Sequence, residues 1–320
     1  MQLTDQQLAY YVDDVIAFRA DDKKKYQDQV DYLKETLTNA LHASSALRVT
    51  KINQAGSWRK GTALKPRDGV GIDIDLVVYL DVSEAKLSDI ATMHGMIVDL
   101  LCAAYPSKQR SDFKPSKKTV GIEFRTSGLK VDLVPVVPVK DPDGYVWQPE
   151  IGGTGAFLTS PAGQLEVIQA LKARDARYAS TVRLMKKWRN VAELSDELSS
   201  FTIELIAAHV VETEGTPPRL EEGLLRVLTY IAQSQLQRTI SFASAIRNLP
   251  SVPSAVRIFD PTNNENNVAG RMTDADRRAI VERAIQALET LNYAQAIARK
   301  GDTLACWKDV FGPSFRVEES

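Results

Sequence analysis

Cysteine is nearly absent. Only Cys102 and Cys306 occur in 320 residues, far apart, and neither has a Cys or His nearby at metal-ligand spacing. That excludes a disulfide scaffold and a zinc-finger type of site, and leaves two reduced, buried thiols in a cytoplasmic protein. Long apolar runs are missing as well, the longest being too short to cross a bilayer. The N-terminus, MQLTDQQLAYYVDDV, is acidic and lacks the basic and apolar regions of a signal peptide. Net charge is −1, so no global field draws the chain to nucleic acid or membrane. There is no internal repeat, no low-complexity segment and no GxxxxGK[ST] phosphate loop. What remains is an ordinary globular composition, 44% hydrophobic and 25% charged, long enough for one large domain or two of usual size.

Apolar spacing predicts a helix over 4–42, with Thr4 as its cap. The basic triplet Lys23 to Lys25 reads as its solvated face. Strands are predicted over 47–54, 72–82, 119–125 and 129–139, the last two around a Ser127-Gly128 turn. A helix over 83–105, ended by Pro106, carries a solitary His94. A long loop, 141–159, leads to Ser160-Pro161, a helix start with proline at the first helical position. Helical patterns follow near 162–174, 178–192, 199–213 and 217–237. Thr273 caps another helix running to Arg299, and a short closing segment carries Trp307 and Phe311. The expected class is α+β, divided into a mixed half, 1–155, with an N-terminal helix, and a helical half, 156–320.

One stretch concentrates the chemistry. Gly56-Ser57 forms a small turn that lets backbone amides approach phosphate oxygens, with a hydroxyl to donate to them. Downstream, Ile72-Asp73-Ile74-Asp75-Leu76 alternates faces as a strand does. The isoleucines and Leu76 face one way, and Asp73 and Asp75 the other. Two carboxylates on one face of an apolar strand repel each other and lose hydration unless a cation lies between them. Asp132, on the later strand LKVDLVPVVPV, shares a face with Lys130 and supplies a third carboxylate. Three strand aspartates suit a pair of Mg²⁺ ions of the kind used in nucleotidyl transfer, with Mn²⁺ as a substitute. Asp132 would accept the proton of the attacking hydroxyl.

Gly56-Ser57, Asp73-Ile74-Asp75 and Asp132 together resemble the pattern of the polymerase-β-like nucleotidyltransferases, with KPRDGVG as a loop insertion. The helical half resembles that of oligoadenylate synthetases and their bacterial relatives. There the lysine of Val182-Arg183-Leu184-Met185-Lys186-Lys187-Trp188 implies a triphosphate contact for Lys186. Ser199-Ser200-Phe201-Thr202-Ile203-Glu204-Leu205 implies a phosphate contact for Ser200 and base stacking for Phe201. Asp260-Pro261 followed by Asn266-Asn267-Val268 resembles a structural segment of the same proteins. The resemblance spans nearly the whole chain and is strongest to the bacterial cGAS/DncV-like nucleotidyltransferases of CBASS anti-phage signalling, especially those encoded beside HORMA-type regulators. It implies a polymerase-β-like core with a helical domain and a site in the cleft between them. NTPs, ATP among them, would be substrates, a cyclic di- or trinucleotide the product, and a HORMA-type protein a possible activator. The alternative is transfer of nucleotides to an RNA or protein acceptor. That would need a basic groove, for which Lys114, Lys117, Lys118, Arg277, Arg278 and the Lys23 to Lys25 triplet are the candidates.

Overall fold

The computed structural model describes residues 2–18, 20–42, 49–66, 72–81, 93–151 and 155–318. The first part of the helix expected over 83–105, the first two residues of the strand expected over 47–54, and most of the expected insertion lie outside the described residues.

The predicted N-terminal helix is two helices. The first, α1 (Asp5–Tyr10), is capped reciprocally: the Thr4 side chain accepts from Gln7 N and the Gln7 side chain accepts from Thr4 N. A wider turn, Tyr11–Ile16, closes with Ala17 N donating to Val12 O at 2.8 Å, and Ala17 is extended. The second helix, α2, is Ala20–His42. Val30, Leu33 and Leu37 resume the helical spacing beyond the polar stretch 19–29, so spacing alone joins the two.

The break has a tertiary cause. The chain folds as two compact units: Met1–Phe18, Thr62–Leu64 and Glu166–Ser320 in one, and Arg19–Gly61 and Lys65–Leu165 in the other. This differs from a division after residue 155. Leu3, Leu8, Tyr11, Val12 and Ile16 are buried in the core of the helical unit, so the first 18 residues belong there. The Tyr11 ring lies 4.6 Å from Phe315 and meets Phe311 edge-on at 5.9 Å, and its hydroxyl donates to Phe311 O at 3.4 Å.

The sheet unit contains β1 (Val49–Gln54), α3 (Gly56–Lys60), β2 (Ile72–Leu80), α4 (Met93–Ala104), β3 (Lys114–Pro115), β4 (Val120–Phe124), β5 (Leu129–Pro138), β6 (Val146–Glu150) and β7 (Gly155–Thr159). The strands run in the order β1-β2-β5-β4-β3, with β6 pairing the end of β5 and β7 pairing β6. Among the described residues of this sheet, β2 and β5 pair parallel and the other strand pairs are antiparallel. Alternation works as the sequence implies. Ile72, Ile74 and Leu76 of β2 and Leu129, Val131 and Leu133 of β5 are buried. His94 is buried too, a core histidine of α4. The expected loop 141–159 holds the β6–β7 hairpin. Pro149 and the glycines of this stretch obscure its strand pattern.

The helical unit contains most of α5 (Pro161–Arg174), then α6 (Tyr178–Val191), α7 (Ser200–Glu214), α8 (Leu220–Ser234), the short hairpin β8 (Phe259–Asp260) and β9 (Asn263–Asn267), α9 (Asp274–Ala296) and α10 (Lys300–Phe311). Its core joins Leu3, Leu8, Tyr11, Val12 and Ile16 to residues between Ile168 and Phe315. The Asp-Pro…Asn-Asn-Val segment is structural: Asp260 Oδ1 accepts from Thr262 N and Oγ1, and Asn267 ties Ile258 N to Val256 O. Among the described residues, no helix is long and apolar enough to cross a membrane.

Candidate active site

The parallel pairing of β2 with β5 decides which acids meet. Its register sets Asp75 beside Asp132 and Asp73 beside Lys130. Neighbours across a parallel pair share a face, so all four side chains emerge on the same side of the sheet. Further along that face the strands carry Val77, Val134 and Val136, which pack with Val146 and with Ala55 and Tyr79 at their edge. The carboxylates therefore stand at the border of an apolar strip, which strips part of their hydration.

That border sets the electrostatics. Partial burial pushes the Asp73 carboxyl above the usual carboxylate range, and Lys130 opposes the shift. Asp132 is also pushed up, by burial first and then by the negative charge of Asp73, with the Thr119 hydroxyl and Lys130 pulling the other way. The set is oxygen-only, crowded and short of positive charge. Such a set fits a hard divalent cation. Among the described residues, no group of three or more His, Cys, Asp or Glu side chains is placed to hold a metal ion. Mg²⁺ keeps several waters and is commonly held by one or two carboxylates together with substrate phosphates.

The Gly-Ser turn is pressed onto this group. Gly56 has φ +62°, and a Cβ placed there would stand 1.7 Å from Asp75 Oδ2. Glycine is thus required twice, by conformation and by space. Ala55 N donates to Asp75 O at 2.9 Å, so the turn and the strand are bonded together. Gly56 and Ser57 begin α3, a five-residue helix that ends at Gly61 (φ 73°), whose N–H reaches Ser57 O and Trp58 O. From α2, Gln27 Oε1 accepts from Trp58 Nε1 at 3.4 Å and Tyr26 meets the Trp58 ring edge-on. Gly121, opposite Asp132 on β4, is a milder version of the same economy: a Cβ there would lie 3.2 Å from Asp132 Oδ1.

In the helical unit, Ser199 caps α7, accepting from Thr202 N at 3.1 Å, and Ser200 and Phe201 form the first turn. The Ser200 hydroxyl accepts from Arg189 Nη1 at 3.1 Å. Arg189, whose guanidinium loses some proton affinity through burial, was not singled out from the sequence. Its only signal is a position three residues after Lys186 on the same helix. Phe201 is half-buried against the core. Lys186 is 3% exposed and ion-paired to Glu204 Oε1 at 3.0 Å, with Thr62 as a further partner. From the sequence, Glu204 stood out only as part of the stretch 199–205 that resembles the family, with no contact of its own assigned.

A domain model described as Second Messenger Oligonucleotide or Dinucleotide Synthetase (SMODS) matches residues 1–172, more than half of the chain. The chain belongs to the SMODS family. A second model, the PAP/OAS1-like domain 5 of Nrap proteins, matches residues 176–248. The CBASS oligonucleotide cyclase CdnC of Escherichia coli (strain KTE188) is 34% identical over 321 residues, covering 100% of both chains. A cyclic AMP-AMP-AMP synthase of Escherichia coli (strain MS 115-1) is 32% identical over 310 residues, covering 93% of this chain and 92% of that one. The solved structure of E. coli MS115-1 CdnC with ATP superposes with a TM-score of 0.83 at 27% identity, covering 98% of this chain and 99% of that one. The same protein in complex with HORMA-deltaN gives 0.82 at 28% identity, covering 98% of each. This SMODS chain is a nucleotidyltransferase with the mixed helix-and-sheet fold expected from its aspartate pattern. Nucleotidyltransferases of this kind are generally metal-dependent.

Proposed function

We propose that the chain joins NTPs, ATP among them, into a cyclic di- or trinucleotide with release of pyrophosphate, as a second messenger of anti-phage defence. The observation that supports the site most directly is the register: Asp75 stands beside Asp132, with Asp73 on the same face and Gly56 against the Asp75 carboxylate. Asp73, Asp75 and Asp132 would hold Mg²⁺, which when bound neutralises triphosphate charge and lowers the pKa of a ribose hydroxyl. Asp132 Oδ accepts the proton as that hydroxyl attacks the α-phosphorus, the bond to the pyrophosphate oxygen breaks, and pyrophosphate departs. The Ser57 hydroxyl donates to a phosphate oxygen where Gly56 lets the backbone come close. Ser200 takes a phosphate contact and Phe201 stacks on a base. Positioning and charge do most of the catalytic work.

The ATP of one related structure and the HORMA-deltaN partner of another support ATP as a substrate and a HORMA-type protein as regulator. Of the basic residues that a macromolecular acceptor would need, Arg277 is taken up by Gln235 O and Asp274. The test is to incubate the protein with each NTP combination and Mg²⁺ or Mn²⁺, and to identify the product by mass. A phosphatase-resistant cyclic product supports the proposal. Label transferred to RNA or protein, or undiminished pyrophosphate release by Asp73→Asn, overturns it.

A further inference from the structure

A small cavity adjoins the turn between α5 and α6, wholly within the helical unit. It measures about 10 Å³ and lies among α6, α7, α8 and the residues that join α7 to α8. That is the room one water molecule needs. Asp175 and Thr181 both line it, and both are out of solvent, at 1% and 5% exposure. One oxygen of Asp175 is used, Oδ1 accepting from Arg177 N at 2.9 Å just ahead of α6. Among the described residues, Asp175 Oδ2 and Thr181 Oγ1 have no hydrogen-bond partner. Arg226 also lines the cavity, but its Nε and Nη2 donate to Glu222 Oε1 and its Nη1 to Glu214 O and Gly215 O.

A buried carboxylate oxygen without a donor is costly, and so is a buried hydroxyl without a partner. Here both belong to residues that line one cavity of the right size. The facing helix keeps that space open. Gly223 lies inside α8 on ordinary helical backbone, where glycine is weaker than alanine. A Cβ there would stand 2.9 Å from Thr181 Oγ1 and 3.1 Å from Pro217 Cγ. The chemistry of the wall selects the occupant. A water molecule donates to Asp175 Oδ2 and pairs with the Thr181 hydroxyl, which both donates and accepts. An ammonium ion carries only donors, more than these two oxygens take up. A metal cation needs a shell of oxygens, whereas the rest of the wall includes Val210, Val227 and the Arg226 guanidinium.

We propose that Asp175, Thr181 and Gly223 form a binding site for a single buried water molecule, which joins Asp175 Oδ2 to Thr181 Oγ1 and fills the space that Gly223 leaves beside α6. A crystal structure of the full chain tests it directly. One oxygen peak is expected within about 3.2 Å of both Asp175 Oδ2 and Thr181 Oγ1. Magnetic relaxation dispersion of the water oxygen then counts long-lived internal waters in solution. Gly223→Ala, whose methyl group takes the space, holds one fewer than wild type. Its melting temperature falls, although alanine is the better helix former. Thr181→Val keeps the shape and removes one partner, so the same water exchanges about tenfold faster, as the loss of one hydrogen bond implies. A direct hydrogen bond between Asp175 and Thr181, no peak at that point, or an unchanged water count in Gly223→Ala overturns the site. Anomalous signal at the peak after soaking in thallium(I) overturns water in favour of a monovalent cation. If Gly223→Ala does not fold, the wild-type crystal and the exchange rate in Thr181→Val decide.

Discussion

Replacing Gly56 by alanine tests the heart of the site with a single methyl group. Two penalties follow from the structure. At φ +62° an alanine is held in the left-handed region, which costs about 1 kcal/mol relative to glycine. The new Cβ also starts 1.7 Å from Asp75 Oδ2 and 2.7 Å from Asp75 Cγ. Ordinary contact needs about 3.5 Å, so the carboxylate has to move by more than about 1 Å. The strand backbone resists, because Ala55 N is bonded to Asp75 O and β2 is paired on both edges. The carboxylate therefore swings on its own side-chain bonds. A displacement of about 1 Å at a reacting centre costs about a hundredfold in rate. Gly56→Ala should thus lose about two orders of magnitude in kcat for pyrophosphate release, while its melting temperature falls by only about 2–4 °C for each kcal/mol of strain. Gly121→Ala is the graded control, since its Cβ would lie 3.2 Å from Asp132 Oδ1 and a few tenths of an ångström relieve it. Its turnover should fall far less. Turnover of Gly56→Ala within threefold of wild type, or equal losses in the two variants, would refute the argument that this close approach places Asp75.

Asp132→Asn should lower metal-dependent pyrophosphate release by at least about a thousandfold. In chelator it should melt no lower than wild type, because it removes a carboxylate already disfavoured by burial and by Asp73; a clear drop in melting temperature would count against that electrostatic picture. Glu204→Gln, which strands the buried Lys186 charge, should destabilise the protein by about 3–5 kcal/mol, and adding Lys186→Met should restore much of it. Denaturant midpoints for the two singles and the double check this, with strict additivity as the refuting result. His94 and His209 are both held below the usual imidazole range, chiefly by burial, with Arg238 adding to the shift at His209. Depressed folded values mean that the unfolded chain binds more protons below about pH 6.5. Stability should be full above that pH and decline as pH falls through it toward the folded values. His209→Phe should flatten the decline, as read from urea midpoints between pH 7.5 and 5.5, and an unchanged slope would tell against it.

Legibility followed the range of the forces involved. The three aspartates could be picked out because a strand has a period of two, and apolar neighbours on alternate positions force the acids onto one face. Their mutual placement could not. Asp75 beside Asp132, and Lys130 beside Asp73, depend on a pairing register set by the whole sheet. The need for glycine at position 56 was visible as a turn, but the carboxylate that leaves no room for a Cβ was not. Helices in the C-terminal half came through because their apolar faces repeat regularly. The break at Ala17 did not, since Val30, Leu33 and Leu37 resume the same spacing beyond a point where the chain passes from one core to another. Lys186 stood out through family likeness, whereas its partner Glu204 and its contact with Thr62 join positions more than a hundred residues apart.

The docking of Tyr11 against Phe311 and Phe315 also has a consequence in time. The two ends of that contact are 300 residues apart in the chain. At about 5–20 residues per second, a ribosome needs roughly 15–60 s to deliver the second end after the first. Leu8, Tyr11, Val12 and Ile16 therefore spend most of synthesis without the surfaces that bury them, while residues 19–61 and 65–165 already have their own core to fold around. The helix α1 is made long before α10 and is among the last segments to find its place. A growing chain of this protein carries an unfinished interface, and whatever shelters nascent apolar segments in the cell has to hold it until α10 emerges.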